Sequence, residues 1–427
     1  MAMNASPAME DTPRVLLIGG GIGGMAAALS LARLGLAVEL LEQSAAIGEI
    51  GAGLQLGPNA FAALDALGVG EAVRGASVFT DRLVMMDAVD CSEVASVPVG
   101  EAFRARFGNP YAVSHRADLH GALFDAVQRH PLIRVHTGAQ IDRLELGGAQ
   151  VRAVARDGRW FTGDAVVGCD GVKSVVRAQL IGDAPRVSGH VVYRAVVPAD
   201  EMPADLRWNA PVVWAGPNCH LVHYPLRHGE LYNLVVTFHS RDQEQWGVSD
   251  GSKAEVLSYF DGVHVRPRQL LDRPTSWRRW STADRDPVGQ WSDGNATLLG
   301  DAAHPMMQYL AQGACMALED AVTLGAAVQA CHREDGRFDL PAAFRLYASA
   351  RVARTARVVL SVREMGRLYH AKGVERQVRN SLWVGRTPER FYDAVEWLYA
   401  WRPEHCLDDA DAATRERGMI GACIPSA

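Results

Sequence analysis

The chain has 427 residues, 48% of them hydrophobic and 22% charged, with 41 glycines and a formal net charge of −6 at pH 7. That length suits two or three domains, or one large α/β domain carrying an inserted module, and the composition excludes disorder. Seven cysteines without a CxxC pair exclude a disulfide scaffold and a zinc cluster and point to a reducing, cytoplasmic setting, while the negative balance argues against nucleic acid as a partner.

Residues 1–12 read as a loose tail without the basic start of a signal peptide. Val15 to Ala32 is an uncharged run of 18 residues, near the lower limit for a membrane span, but five glycines between positions 19 and 24 interrupt it. The better parse is a buried strand Arg14 to Ile18, a tight turn, and an Ala/Leu-rich helix from Gly23 to Leu34, so no transmembrane segment is expected. Gly19-Gly20-Gly21-Ile22-Gly23-Gly24 satisfies GxGxxG at that strand–helix junction. Gly19 makes the turn, Gly21 admits a pyrophosphate close to the backbone, and Gly24 lets helix and strand approach. The start of the helix at Ile22 and Gly23 offers free N–H groups to phosphate. A second strand, Ala37 to Leu41, ends at Glu42, where a carboxylate accepts ribose hydroxyls. These residues predict a dinucleotide site and leave NAD or FAD open.

A second glycine cluster spans Gly48 to Gly57 and includes Gly53 and Leu54. Arg116 follows in Ser114-His115-Arg116-Ala117-Asp118-Leu119. Val166-Val-Gly-Cys-Asp170-Gly171 closes a strand-like run before a helix. The next hundred or so residues change texture. Val191 to Val197, Pro211 to Trp214, Cys219 to Pro225 and Glu230 to His239 are β-branched and aromatic, separated by Gly, Pro and Asn, as in an antiparallel sheet. Alternation puts His220, Val222 and Tyr224 on one face and His223 on the other. Leu298-Leu-Gly300-Asp301 then repeats the strand-to-acid plan and leads through Gln308, Gly313 and Ala314 into a helix. From Leu340 to Lys372, seven Lys/Arg stand against Glu364. They read as a solvated helix face, an anion-steering patch, or part of a homodimer contact.

The three blocks, in this order, resemble those of the class A flavoprotein aromatic hydroxylases, with the p-hydroxybenzoate hydroxylase fold, over roughly residues 13–365. The resemblance implies an α/β protein: a Rossmann-like FAD-binding domain (13–75, 102–180, 284–365), an inserted, mainly antiparallel β-sheet substrate domain (76–101, 181–283), and a helical C-terminal region (366–427). It selects FAD as the cofactor. Glu42 would then hold the adenosine ribose, Arg116 would lie near the phosphates, and Asp170 would serve the same FAD. Asp301 would hold the ribityl or pyrophosphate region, and Gly313 and Ala314 would open a helix aimed at the flavin ring. Gly53 and Leu54 would belong to the loop over that ring. A second GxGxxG is missing, and the family docks NADH or NADPH transiently.

The segments His220 to Pro225, Pro305 to Leu310 and Arg386 to Trp401 are similar to those of family members that hydroxylate 3-hydroxybenzoate at C6. The implied reaction takes a small aromatic acid, NAD(P)H and O2 through a flavin C4a-hydroperoxide to 2,5-dihydroxybenzoate. By the same resemblance His220 and Gln308 contact the phenol and Tyr224 orients the ring or its carboxylate. A histidine suits removal of the phenol proton, since its ordinary pKa of about 6.5 lies near working pH. The phenolate pushes charge to its para carbon. His223 and His304 read as core histidines, and no metal is expected. Other activities compatible with the motifs are decarboxylating hydroxylation of salicylate, 3-hydroxylation of 6-hydroxynicotinate, and a non-catalytic flavin- or NADH-binding regulator.

Overall fold

Val15, Leu16 and Leu17 have no exposed surface and Ile18 almost none, as a parallel strand covered on both faces requires. In the computed structural model, which describes residues 12–48, 53–148, 150–408 and 410, this strand (Arg14–Ile18) is the centre of a five-stranded parallel sheet. Residues 1–11, positions 49–52 of the second glycine cluster and the stretch beyond 410 lie outside the described residues. Ala37–Leu41 and Ile133–His136 extend the sheet on one side, Ala165–Gly168 and Ala296–Leu298 on the other. The register sets Ile18 beside Gly168 and Gly168 beside Leu298. The glycine turn, the Asp170 block and the Asp301 block therefore emerge together at the carboxyl edge of one sheet, where open α/β sheets bind ligands.

Two helices close over this edge. Ile22–Ala32 packs on Gly313–Ala330 so closely that a Cβ at Gly23 would come 3.3 Å from the Ala317 Cβ. Three antiparallel strands between Ile141 and Gly163 form a small side sheet, and Gly53–Leu56, Ala112–His115 and Ser77–Phe79 form another.

An eight-stranded sheet holds the segments that sequence reads as β-rich, joined by Arg82–Asp87 and Glu93–Pro98. All its pairings are antiparallel except that of Val212–Gly216 with Arg82–Asp87. One face buries Tyr193, Trp214, Leu221, Leu234 and Phe238. The other carries Val192, Val222, Tyr224 and Val235 toward the parallel-sheet half of the molecule. Both faces are covered, so Cys219–Leu226 is buried along its length although its side chains alternate.

The basic segment differs from expectation. Leu340–Tyr369 is one 30-residue helix, but three of its arginines point inward. Arg351 meets Glu319 at 2.7 Å and Asp320 at 2.6 Å, Arg354 meets Glu319 at 2.7 Å, and Arg363 meets Asp284 at 2.9 Å. Glu319 and Asp320 are fully buried, and a buried carboxylate must be paired with a cation. That need, and not solvation or steering, explains these three; Arg345, Arg367 and Lys372 remain exposed.

Candidate active site

Gly19 has φ of +107°, and a Cβ there would lie 2.4 Å from the Cys169 carbonyl oxygen, so only glycine makes this turn. A Cβ at Gly24 would lie 1.9 Å from the Gly19 oxygen. Glu42 reaches the same turn, accepting from Gly20 N and from Ser44 N, each at 2.7 Å. Asp170 stands behind it, accepting from Val175 N at 2.7 Å through one oxygen. Its other oxygen, Oδ1, is buried without a partner, and burial raises the carboxyl pKa.

In front of these four residues opens a cavity of about 720 Å³. Gly21, Ile22, Gly23, Gly53, Leu54, Arg116, Asp301, Gly313 and Ala314 line it, as do His220, Tyr224 and Gln308. Gly19, Gly24, Glu42 and Asp170 do not; they shape or brace the turn. The residues fit FAD on three counts. A Cβ at Gly21 would meet nothing within 4 Å, so the backbone is open to a close ligand. The helices starting at Ile22 and Gly313 have no side-chain cap, which leaves their N–H groups directed at the cavity. Asp301 borders the cavity, where solvent touches it, yet protein encloses it deeply enough to raise its carboxyl pKa. Such a carboxyl suits the hydroxyls of a bound chain.

The sheet supplies the opposite wall. His220, Thr237 and Val192 lie side by side across three strands, and Val222, Val235 and Arg194 form the adjacent row. Gln308, in the turn after the Asp301 block, donates from Nε2 to Thr237 Oγ1 at 3.0 Å and is thereby held beside His220. His220 is buried, and its Nδ1 lies 2.8 Å from His370 Nε2, leaving Nε2 for the cavity. Burial, with His190 nearby, lowers its pKa to about 3, so the ring is neutral. Tyr224 packs against Gly53: a Cβ there would meet the ring at 2.5 Å, and Asn233 accepts from Gly53 N at 3.0 Å. His223 faces the other way, bonded to Trp214 Nε1 at 3.2 Å and to the Leu206 carbonyl at 3.1 Å. His304 is bonded to Asp320 at 2.6 Å. Neither lines the cavity.

Sequence reasoning missed several residues. Thr237 is visible only once strand register is known. Arg194 lines the cavity, over the Trp280 ring at 5.8 Å, and makes no ion pair among the described residues. Glu319 and Asp320 organise the helix that begins at Gly313: Asn59 Nδ2 donates to Glu319 at 2.7 Å, and Gly300 N donates to Asp320 at 3.0 Å. In the sequence these two acids stand only as part of a helical stretch after Gly313. His370 carries no motif at all.

Comparison with known proteins agrees with this geometry. The family model described as an FAD binding domain matches residues 12–360. A 3-hydroxybenzoate 6-hydroxylase of Klebsiella oxytoca is 61% identical over 400 residues, covering 94% of this chain and 100% of that protein. One from Polaromonas naphthalenivorans (strain CJ2) is 60% identical over 402 residues, covering 93% and 99%. Among solved structures, a salicylate hydroxylase substrate complex superposes with a TM-score of 0.79 at 26% identity, covering 94% of this chain and 98% of that one. Among the described residues no helix is long and apolar enough to cross a membrane. The chain thus belongs to the FAD binding domain family and is a class A flavoprotein hydroxylase with FAD as its cofactor.

Proposed function

We propose that the protein is an FAD-dependent monooxygenase that uses NADH or NADPH and O2 to hydroxylate 3-hydroxybenzoate at C6, para to its hydroxyl, giving 2,5-dihydroxybenzoate. The observation that carries this reading is the 61% identity, along essentially its whole length, to a 3-hydroxybenzoate 6-hydroxylase. The positions of His220 and Gln308 support it.

Bound FAD supplies the redox chemistry, accepting hydride from the nicotinamide and activating oxygen. The protein's own residues do the rest. Gly21, Gly23 and the two uncapped helix starts would hold the diphosphate, with Arg116 as its cation and Asp301 on the sugar chain, while Glu42 braces the turn from behind through Gly20 N and Ser44 N. Asp170 fixes the turn. Gly53, Leu54, Gly313 and Ala314 enclose the ring. Val213, Val222, Val235 and Met306 keep water away from the reacting carbon. Gln308, held by Thr237, orients the phenol oxygen, and neutral His220 takes its proton at Nε2, making the para carbon electron-rich. Tyr224 orients the ring, and Arg194 faces the carboxylate.

The reading extends to a homodimer in the cytoplasm. Val374, Val378 and Leu382, exposed at i, i+4 and i+8, offer a stripe that a second copy would cover, and the six described cysteines are free thiols. Sedimentation that finds only monomer at micromolar concentration would remove the dimer.

Incubating the flavin-loaded enzyme with NADH, oxygen and 3-hydroxybenzoate, and separating the products, tests the reaction. We expect 2,5-dihydroxybenzoate in step with NADH oxidised. Turnover of salicylate to catechol in preference would replace the substrate, and no NADH oxidation with any of these acids would leave only a flavin-binding protein.

A further inference from the structure

Arg386 and Ala394, from the C-terminal helical region, line the cavity and are exposed to solvent, so the cavity opens there as well as beside the FAD cradle. The walls next to them are apolar: Leu310, Met365, Trp383, Phe391 and Val395. A cation at the rim of an apolar passage matches a benzene ring that carries a carboxylate. This inference rests on the substrate proposed above.

The sequence builds the rim from a short turn between two anchored helices. Gly373–Trp383 ends beside Val384, and Pro388–Tyr399 begins after Thr387. Gly385 has φ of +74°, which glycine adopts without strain, and Arg386 N donates to the Trp383 carbonyl at 3.2 Å. On one side Asp87, fully buried at the end of its strand, accepts from Arg376 at 2.6 Å, Asn380 at 2.7 Å and Arg379 at 2.9 Å. Trp383 packs on the cluster of Met85, Val94 and Ala215. On the other side Tyr392 OH donates to the Pro98 carbonyl at 2.7 Å. Both anchors lie on the sheet that carries His220, so the turn keeps a fixed place over the cavity.

The charges at this opening are uncommitted. The Arg386 guanidinium lies over the Phe391 ring at 5.3 Å from its centroid, and that of Arg357 over Trp397 at 4.0 Å. Both rings line the cavity. Among the described residues neither arginine makes an ion pair, in contrast to Arg351, Arg354 and Arg363 on the long helix. Asp393 and Glu396 of the last helix are held by Arg106 at 2.7 and 2.8 Å. A guanidinium stacked by its face keeps its edge N–H groups for a carboxylate. The opening is thus locally positive on a protein of net charge −6.

We propose that this opening is the route by which the aromatic acid enters the cavity, and that Arg386 captures its carboxylate there, with Arg357 adding to the field. The ring then passes between Trp383, Phe391 and Met365, and the carboxylate moves from Arg386 to Arg194, which lines the same cavity. No bond forms or breaks in this step.

Stopped-flow flavin absorbance, with oxidised, FAD-loaded enzyme and 3-hydroxybenzoate, tests both halves. A rim charge acts on the association rate, and salt screens it. We expect Arg386→Gln to bind about threefold to tenfold more slowly than wild type at low salt. Arg386→Glu should be slower still, and the three rates should converge in 1 M salt. Ala394→Trp narrows the opening and should slow association and dissociation together, so that Kd moves less than either rate. A residue that only supports the fold would not give that pattern. Wild-type association at low salt in both Arg386 variants overturns the proposal, and so do unchanged rates in Ala394→Trp. Should Ala394→Trp fail to fold, the salt dependence of Arg386→Glu, at an exposed position, decides. If the wild type does not bind 3-hydroxybenzoate, the substrate reading falls and the route with it. If the wild type binds and hydroxylates it while the variants match wild type, the substrate reading stands and the route alone falls.

Discussion

Arg351 and Asp320 meet at 2.6 Å with neither side chain exposed to solvent. Asp320 also takes the Gly300 N–H and the His304 ring, so one carboxylate joins the long C-terminal helix to the turn that presents Asp301. Arg351 in turn bonds Glu319, which holds Asn59. The ion pair thus acts as the bracket behind the helix that starts at the cavity.

Removing one member leaves the other charge buried and unpaired. Arg351→Leu should cost about 3–5 kcal/mol of stability and weaken flavin retention with it. Urea denaturation followed by tryptophan fluorescence, read with and without added FAD, checks both.

The pH dependence has two parts of the same sign. Asp320, held down to about 2 chiefly by His304 and Arg351 against the opposing effect of burial, contributes stability that is complete above an ordinary carboxyl pKa of about 3.9. That contribution is lost as the pH falls toward 2. His220 at about 3 and His190 and His223 at about 4 are neutral when folded and take up protons when unfolded. They make the fold progressively weaker below pH of about 6.5. Denaturation midpoints should therefore fall from pH 7 to pH 5, and His223→Gln should flatten that slope if it folds.

Two glycines of one motif should separate when changed to alanine. Gly21→Ala meets open space and should keep the unliganded Tm while lowering FAD affinity. Gly24→Ala drives a methyl into the Gly19 carbonyl and should lower the unliganded Tm as well, by an overpacking cost of about 1–3 kcal/mol. Differential scanning fluorimetry with flavin titration distinguishes them.

Thr237→Val removes the acceptor that fixes Gln308 while keeping the side-chain shape. A lost hydrogen bond of about 1 kcal/mol should raise KM several-fold and increase NADH oxidised per product formed. Unchanged coupling would show that Gln308 is positioned by something other than Thr237.

Much of the fold was legible because its signals are local. The strand, glycine turn and helix at the amino end follow from an apolar run and φ requirements, and Arg14–Ile18 and Ala37–Leu41 match the sequence reading residue for residue. Alternation placed His220 and Tyr224 on one face because the side-chain period in a strand is fixed. The basic run misled for the opposite reason. Its charges look solvated until the acids facing them are known, and Glu319 and Asp320 lie on another helix, 31 to 35 residues away.

What the sequence determined by itself was the order of three phosphate-side blocks around a β-rich insertion, and hence the fold family and the cofactor. Each block is a contiguous pattern whose conformation is set by its own residues. Only the tertiary structure decided which side chains serve the substrate end. Thr237 reaches Gln308 across 71 residues, and His370 reaches His220 across 150. Those meetings depend on strand register and on where the long helix ends, and both are set by packing between elements that no local pattern encodes.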